Sequence, residues 1–203
     1  MKYLAVNSLL FVTVCISTLF VIDKYTVHEL TIERATEPVK HLTDARYSIV
    51  NGDYHRAISE LDEAISEMKI IEQYGDSSAN AHIEQAINDL QQVEEEIKND
   101  SLVIGDLNKA FFNALNSIAF SCMMISENNL DKGEKYVAMR FMNATFAEMI
   151  ASLKFVNSEE LRHKEEKVIE DVRNIISSMK ATNYKYRFNY DTINHELEEL
   201  IEF

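Results

Sequence analysis

The sequence contains few of the residues that break or reverse a polypeptide chain. Only 4 glycines and 1 proline occur among its 203 residues. The tight turns and bulges of all-β proteins require glycine, asparagine or proline at fixed positions, so this shortage disfavours such a fold. Long helices joined by short polar loops fit the composition, and we therefore predict an all-α protein.

Cysteine is also scarce, and the two cysteines stand in different environments. Cys15 lies in an apolar segment near the N-terminus, and Cys122 lies in a predicted helix between Phe120 and Met123. A disulfide between them would join a membrane segment to the core, so we expect the fold to depend on side-chain packing. The apolar neighbours of Cys122 predict a buried and unreactive thiol.

Acidic residues outnumber basic residues. Lysine and arginine total 20 against 34 aspartates and glutamates, which gives a net charge of -14 at pH 7. Basic side chains supply most of the non-specific affinity for nucleic acids, because they release counterions from the phosphates. The charge therefore excludes nucleic acid as a partner.

No sequence motif of catalysis or metal binding is present. The chain has no glycine-rich phosphate loop, no Gly-x-Ser-x-Gly motif and no histidine pair at the spacing of a zinc-binding helix. Glu160 and His163 have the spacing of one ligand pair in di-metal helical bundles, but such bundles need two pairs. We therefore predict a protein that is not an enzyme and that has no cofactor, metal site or small-molecule ligand.

One long apolar run lies at the N-terminus. Residues 4–22 include no charged side chain, with Lys2 before them and Asp23 after them. A helix of this length, at about 1.5 Å per residue, matches a hydrocarbon core of about 30 Å. Because the run has no well-placed cleavage sequence of small residues, residues 1–24 are predicted to form an uncleaved membrane anchor. A cleaved signal peptide and a buried helix of a soluble protein are the alternatives.

Helical periodicity organises the rest of the chain. After a linker over residues 25–36, apolar side chains recur every three or four positions in residues 37–203, which predicts a bundle of about six or seven helices. This helical domain divides into candidate sub-units 37–100 and 106–181 and a C-terminal helix 191–203. We expect the helices to be arranged as helical hairpins.

Local signals predict helix ends and the centre of the bundle. Asn51-Gly52 is a natural helix stop, and Asp53 can cap the helix that follows. Residues 107–126 and 130–155 are apolar over most of their circumference. Helices of that kind are surrounded by others, so we expect these two at the centre.

Small and aromatic residues have a distinctive spacing around the first predicted turn. They are Ala45, Gly52, Tyr54, Ala57, Leu61, Ala64 and Ile65. In this spacing residues 41–71 resemble the helical hairpin of a tetratricopeptide repeat, in which small residues let two helices approach closely. His41, Asp44, Ser48 and Lys69 depart from the repeat pattern, and no second match follows about 34 residues later.

A similar but less complete series occurs in the second half of the chain. Asn128, Leu130, Gly133 and Val137 repeat part of it, which predicts a degenerate duplication of a three-helix unit. The hairpin, the export segment and the all-helical remainder together also resemble bacterial periplasmic proteins of the YfdX type. Both resemblances imply binding of peptides or proteins through helix faces, without catalysis.

Aromatic side chains are the candidates for partner binding. Tyr184, Tyr186, Phe188 and Tyr190 alternate with polar residues in the two-residue rhythm of an extended strand. They either cover the core or contact a partner protein, and core coverage is the favoured interpretation. Tyr54, in the predicted hairpin, is the fifth candidate.

Together these patterns predict a membrane-tethered extracytoplasmic helical scaffold or assembly protein of a cell-envelope complex. Lys2 and the amino terminus favour a cytoplasmic N-terminus, with the bulk of this single-pass protein in the periplasm or another extracytoplasmic space. One alternative is a released periplasmic binding or chaperone-like protein, and a less favoured one is a ligand-sensing bundle. A client groove could be formed by clustered methionines, although core filling is the favoured role for Met123, Met124, Met139, Met142 and Met149.

Overall fold

The computed structural model of the protein describes residues 34–181 and 190–201. In these ranges every regular element is a helix, so the prediction of an all-α fold is confirmed. The helices are α1 (34–50), α2 (Tyr54–Glu72), α3 (Ser77–Lys98), α4 (Ile104–Asp131), α5 (Lys135–Ser152), α6 (Glu159–Lys180) and α7 (Tyr190–Ile201). None of them is long and apolar enough to cross a membrane, and the predicted anchor at residues 4–22 lies outside the described residues.

The turn between α1 and α2 forms where the sequence predicts it. Gly52 has a φ of 75°, which glycine adopts without steric cost. Its amide donates to the carbonyl of Ile49 at 3.0 Å, and the amide of Asp53 donates to the carbonyl of Ser48 at 2.9 Å. This pair of bonds is the Schellman ending of a helix. The Asp53 carboxylate then accepts the amide of Arg56 at 3.2 Å and so caps α2.

The turn between α4 and α5 repeats this geometry. Gly133 has a φ of 77°, and the amide of Glu134 donates to the carbonyl of Asn129 at 2.8 Å. The two glycine turns therefore end their helices in the same way. Whether they descend from a duplicated unit stays a prediction.

Helix α4 forms the centre of the described bundle. It packs against α3, α5 and α7 and touches α2. Every residue from Ala110 to Met123 is buried, as the apolar circumference of this stretch predicts. Helix α5 differs from the prediction for residues 130–155 because it keeps one solvent-facing side, which includes Tyr136 and Ile150.

The core is filled by apolar side chains from all seven described helices. Phe111, Phe120 and Phe141 are the largest fully buried side chains. Removing each such side chain from water stabilises the fold by roughly 1.5–3 kcal/mol. The clustered methionines either lie inside this core (Met123, Met142 and Met149) or pack against it (Met124 and Met139). The favoured core-filling role is thus the one that the structure shows.

Candidate protein-interaction groove

An apolar groove lies at the end of the bundle where α1 and α3 finish and α2 and α4 begin. Successive helices of this part of the chain run in opposite directions, so the α1–α2 turn and the α3–α4 turn meet there. The groove has a volume of about 270 Å³ and is lined by Ile49, Val50, Tyr54, Ile97, Asp100, Leu102 and Ile104. We refer to it as the interaction groove.

The rim of the interaction groove exposes large apolar side chains. Val50 is 75% exposed, Tyr54 46% and Ile104 54%, while Val103 beside the groove is 54% exposed. With Tyr47, one turn before Val50, these residues are five of the eight large hydrophobic side chains that are exposed in the described part of the chain. Single exposed apolar residues are ordinary on protein surfaces, but a cluster indicates an interaction site.

The floor of the interaction groove belongs to the hydrophobic core. Ile49 is 7% exposed and Ile97 only 4%, and both pack within the buried cluster of the bundle. Leu102 is partly buried and packs against the same cluster. An apolar side chain that enters the groove therefore meets a floor fixed by core packing.

The α3–α4 turn holds its part of the rim with backbone hydrogen bonds. The amide of Ser101 donates to the carbonyl of Glu96 at 2.9 Å, and Asp100 has a φ of 53°. Aspartate is one of the few residue types that adopt this left-handed conformation readily. The turn thus fixes the direction in which Leu102 and Val103 enter α4.

Helix α4 begins with a residue that does not cap it. Val103 occupies the N-cap position, and no side chain bonds to the free amides of the first turn. Serine, threonine, aspartate or asparagine at this position stabilises a helix by about 0.5–2 kcal/mol relative to an apolar residue. A local rule that is broken without a structural gain is typical of functional sites.

Acidic side chains border the interaction groove. Asp100 lines it, Asp53 precedes Tyr54, and Asp106 lies in the first turn of α4. All three are exposed. Asp106 also lines a neighbouring depression of about 160 Å³ between α3 and α4, together with Glu96. We call Asp53, Asp100 and Asp106 the acidic border.

Two basic side chains near this end contact glutamates. Lys98 donates to Glu95 at 2.8 Å and lies 3.8 Å from Glu94, and Arg56 lies 3.5 Å from Glu60. Neither the lysine nor the arginine pair involves the carboxylates of the acidic border.

The structure brings one predicted partner-binding residue to the groove. Tyr54 lines it, as α2 begins there. Tyr190 is only 5% exposed and lies in the core, which is the arrangement that the core-covering interpretation predicts. Tyr184, Tyr186 and Phe188 lie outside the described residues.

Sequence reasoning missed most of the rim. Val50 stands in the last helical turn before Asn51-Gly52, and Val103 follows the polar turn at residues 99–101. An apolar residue at a helix end was the available signal in both cases. The two ends lie about fifty positions apart in the sequence, so their meeting was visible only in the fold.

Side chains that can bind a metal ion do not form a metal site in the described ranges. No group of three or more His, Cys, Asp or Glu residues could hold a metal ion within residues 34–181 and 190–201. Burial raises the pKa of the Cys122 thiol, and nearby Glu148 raises it further. The thiol is therefore neutral and enclosed.

Comparison with known proteins gives no family for the chain. No protein-family model, no curated protein and no solved structure matches it. The tetratricopeptide and YfdX resemblances stay hypotheses.

Proposed function

We propose that the protein is a helical scaffold that binds a partner protein in the interaction groove. The partner presents apolar side chains to the groove and lysine or arginine to the acidic border. The observation that carries this proposal is the cluster of exposed Val50, Tyr54, Val103 and Ile104 over a buried floor.

Burial of apolar surface supplies the affinity in this proposal. Covering exposed apolar atoms stabilises a complex by roughly 25 cal/mol per Å² removed from water. Tyrosine is enriched among the residues that dominate binding energy, because its ring is large and loses little conformational freedom. Tyr54 is therefore the expected centre of the contact.

Charge complementarity selects the partner. The net charge of -14 and the acidic border repel acidic segments and attract basic ones. Steering of this kind raises association rates and is screened by salt. We therefore infer that the partner segment is amphipathic and basic.

The membrane tether is the second part of the proposal. Its support is the uncharged sequence of residues 4–22 with Lys2 before it, which favours a bulk that is extracytoplasmic. Fractionation of cells followed by mass measurement of the N-terminus tests it. An intact Met1 in the membrane fraction supports the tether, whereas a soluble chain that starts after residue 22 supports the released periplasmic alternative.

Site-specific photocrosslinking tests the interaction groove. A photoreactive residue at position 50 or 103 of the full-length chain should capture a peptide that contains apolar residues flanked by lysine or arginine. The matched control is position 150, because Ile150 is also exposed but lies on α5. Equal capture at position 150, or capture of acidic peptides, would contradict the proposal.

Two substitutions separate binding from folding. Val103→Ser should stabilise the start of α4 by about 0.5–2 kcal/mol because serine caps a helix, yet it should weaken partner binding at least about tenfold. Val50→Lys should weaken binding by repelling a basic partner, while Ile150→Lys should not. Stability is measured by thermal unfolding and binding by titration with the captured partner. Unchanged affinity in both groove variants would refute the assignment of the groove.

A further inference from the structure

Three polar side chains meet between α4, α5 and α6, and a fourth lies one turn earlier on α5. Asn116, Glu148, Ser152 and Glu165 are each 0% exposed. We call them the buried carboxyl cluster. Two glutamates in the interior of so small a bundle are unusual, because carboxylates are almost never fully buried unless a positive charge accompanies them.

Glu165 of α6 is bonded only to uncharged groups. The Ser152 hydroxyl of α5 donates to its Oε1, and the Asn116 side-chain amide of α4 donates to the same oxygen at 3.4 Å. Its Oε2 has no hydrogen-bond partner among the described residues. The side chain therefore connects three helices through a single oxygen.

Glu148 lies on the face of α5 that meets α4. Thr145, three residues before it, donates to the carbonyl of Ala119 on α4 at 3.2 Å, and Ser152 follows it by four residues. Residues at these intervals share one helix face. Neither carboxyl oxygen of Glu148 has a hydrogen-bond partner among the described residues. The Oδ1 atom of Asn116 is equally unpartnered.

Few charged groups act on the cluster. Arg162 lowers the pKa of Glu165 and Glu166 raises it, both from the same helix, while α4 and α5 contribute only uncharged Asn116 and Ser152. The titratable group that faces Glu148 from α4 is the neutral thiol of Cys122. Helix α7 also packs on α4 and α6, but its Glu196 and Glu198 contact Lys167 and Ser78.

Burial therefore favours the neutral form of both glutamates. It raises the pKa of Glu165 to about 7 against the hydrogen bonds from Ser152 and Asn116, and it raises the pKa of Glu148 well above the ordinary range. At these two positions the folded protein binds more protons than the unfolded chain between about pH 4.5 and the folded pKa. Stability from Glu165 is fully present below pH 4.5 and is lost as the pH rises to about 7, and that from Glu148 is lost over a window extending higher.

We propose that the buried carboxyl cluster is a pH-sensitive latch. Helix α5 stays packed on α4, and α6 on α5, while Glu148 and Glu165 carry their protons, and this packing loosens when the carboxyl groups ionise. Ionisation would leave uncompensated negative charge between three helices, so the helices must separate enough to admit water. The latch is independent of the interaction groove, which lies at the end of α1 and α3.

Hydrogen exchange of the full-length chain in detergent micelles tests the latch. After correction for intrinsic rates, the opening constant of α5 and α6 amides should increase at least about tenfold from pH 5.5 to pH 8, since one unit of pKa shift equals a factor of ten. Amides of α2 should change less. Opening constants that do not depend on pH would overturn the proposal.

Matched variants identify the responsible groups. Glu148→Gln and Glu165→Gln should each reduce the pH dependence, and the double variant should abolish it, because glutamine cannot ionise. Glu159→Gln removes the same charge from an exposed position of α6 and should keep the full pH dependence. Full pH dependence in the double variant would overturn the proposal. Infrared absorption of the wild-type chain gives a second measurement that needs no variant: protonated carboxyl groups should persist at pH 6.5, and their absence would equally overturn it.

Discussion

Glutamates are held in two different ways in the first and second halves of the bundle. Between α1 and α2, Glu60 Oε2 lies 2.9 Å from His41 Nδ1, and Glu67 forms a salt bridge with Arg34. Between α4, α5 and α6, Glu165 meets only uncharged donors, and Glu148 meets no donor among the described residues. The same residue type is thus paired with a basic side chain in one region and enclosed without a charged partner in the other.

The two arrangements shift the pKa in opposite directions. The hydrogen bond from His41 lowers the pKa of Glu60, whereas burial raises the pKa of Glu165 to about 7. Glu60 therefore contributes stability above its unfolded pKa near 4.5 and loses it as the pH falls through the folded pKa. Glu165 contributes most below pH 4.5 and loses its contribution as the pH rises to about 7.

The largest effect is expected in the second region, from a substitution that introduces a side chain charged at every accessible pH. Glu148→Arg places a permanent cation in a fully buried site and should reduce the free energy of unfolding by about 3–5 kcal/mol. Urea unfolding followed by circular dichroism at pH 5.5 measures this loss. Glu166→Arg, at an exposed position of α6, is the control and should change stability by less than about 0.5 kcal/mol. A fully stable Glu148→Arg protein would show that position 148 is not enclosed.

The glycine turns provide an effect of intermediate size in both regions. Gly52→Ala and Gly133→Ala should each cost about 1 kcal/mol, because the backbone at φ 75° and 77° is strained for alanine. An added Cβ would touch nothing within 4 Å at either position, so the cost is conformational. Gly105→Ala, in the first turn of α4 and with equal space, is the control and should not destabilise. Thermal unfolding distinguishes these variants, and equal stability of all three would contradict the turn geometry.

The smallest effect is expected from the paired glutamate of the first region. Glu60→Gln should lower the free energy of unfolding by about 0.2–1 kcal/mol at pH 7, as is usual for partly exposed ion pairs. The difference should shrink at pH 4, which lies below the pKa near 4.5 of this side chain in the unfolded chain. Urea titrations at the two pH values measure it, with exposed Glu63→Gln as the matched control. A loss of unfolding free energy that grows toward low pH would contradict the lowered pKa of Glu60.

Local signals made the helices predictable. The Asn51-Gly52 stop and the Asp53 cap depend on neighbouring residues alone, and the apolar circumference of α4 indicates a central helix without knowledge of its partners. The bounds of α1 were less accessible, because it is already helical at residue 34, within the predicted linker 25–36. Thr36 as a possible cap and Pro38 in a first turn predict a later start, and the structure begins the helix before both.

Contacts between distant segments set the limit of prediction. Glu148 follows Phe141 and Thr145 on one apolar stripe, so its spacing alone indicates a buried position. That Glu165 reaches Ser152 and Asn116 depends on how α6 docks beside α5, and no local pattern encodes this. The interaction groove likewise requires two turns that meet only in the folded chain.

The position of Cys122 makes its thiol a native probe of helix opening. Its thiol is fully enclosed in α4 and faces Glu148 across the contact with α5. An alkylating reagent can reach it only when that contact opens, so the labelling rate at Cys122, separated from that at Cys15 by peptide mapping, records each opening in the native protein. The native cysteine thus reports how often the α4–α5 contact opens, without an engineered probe.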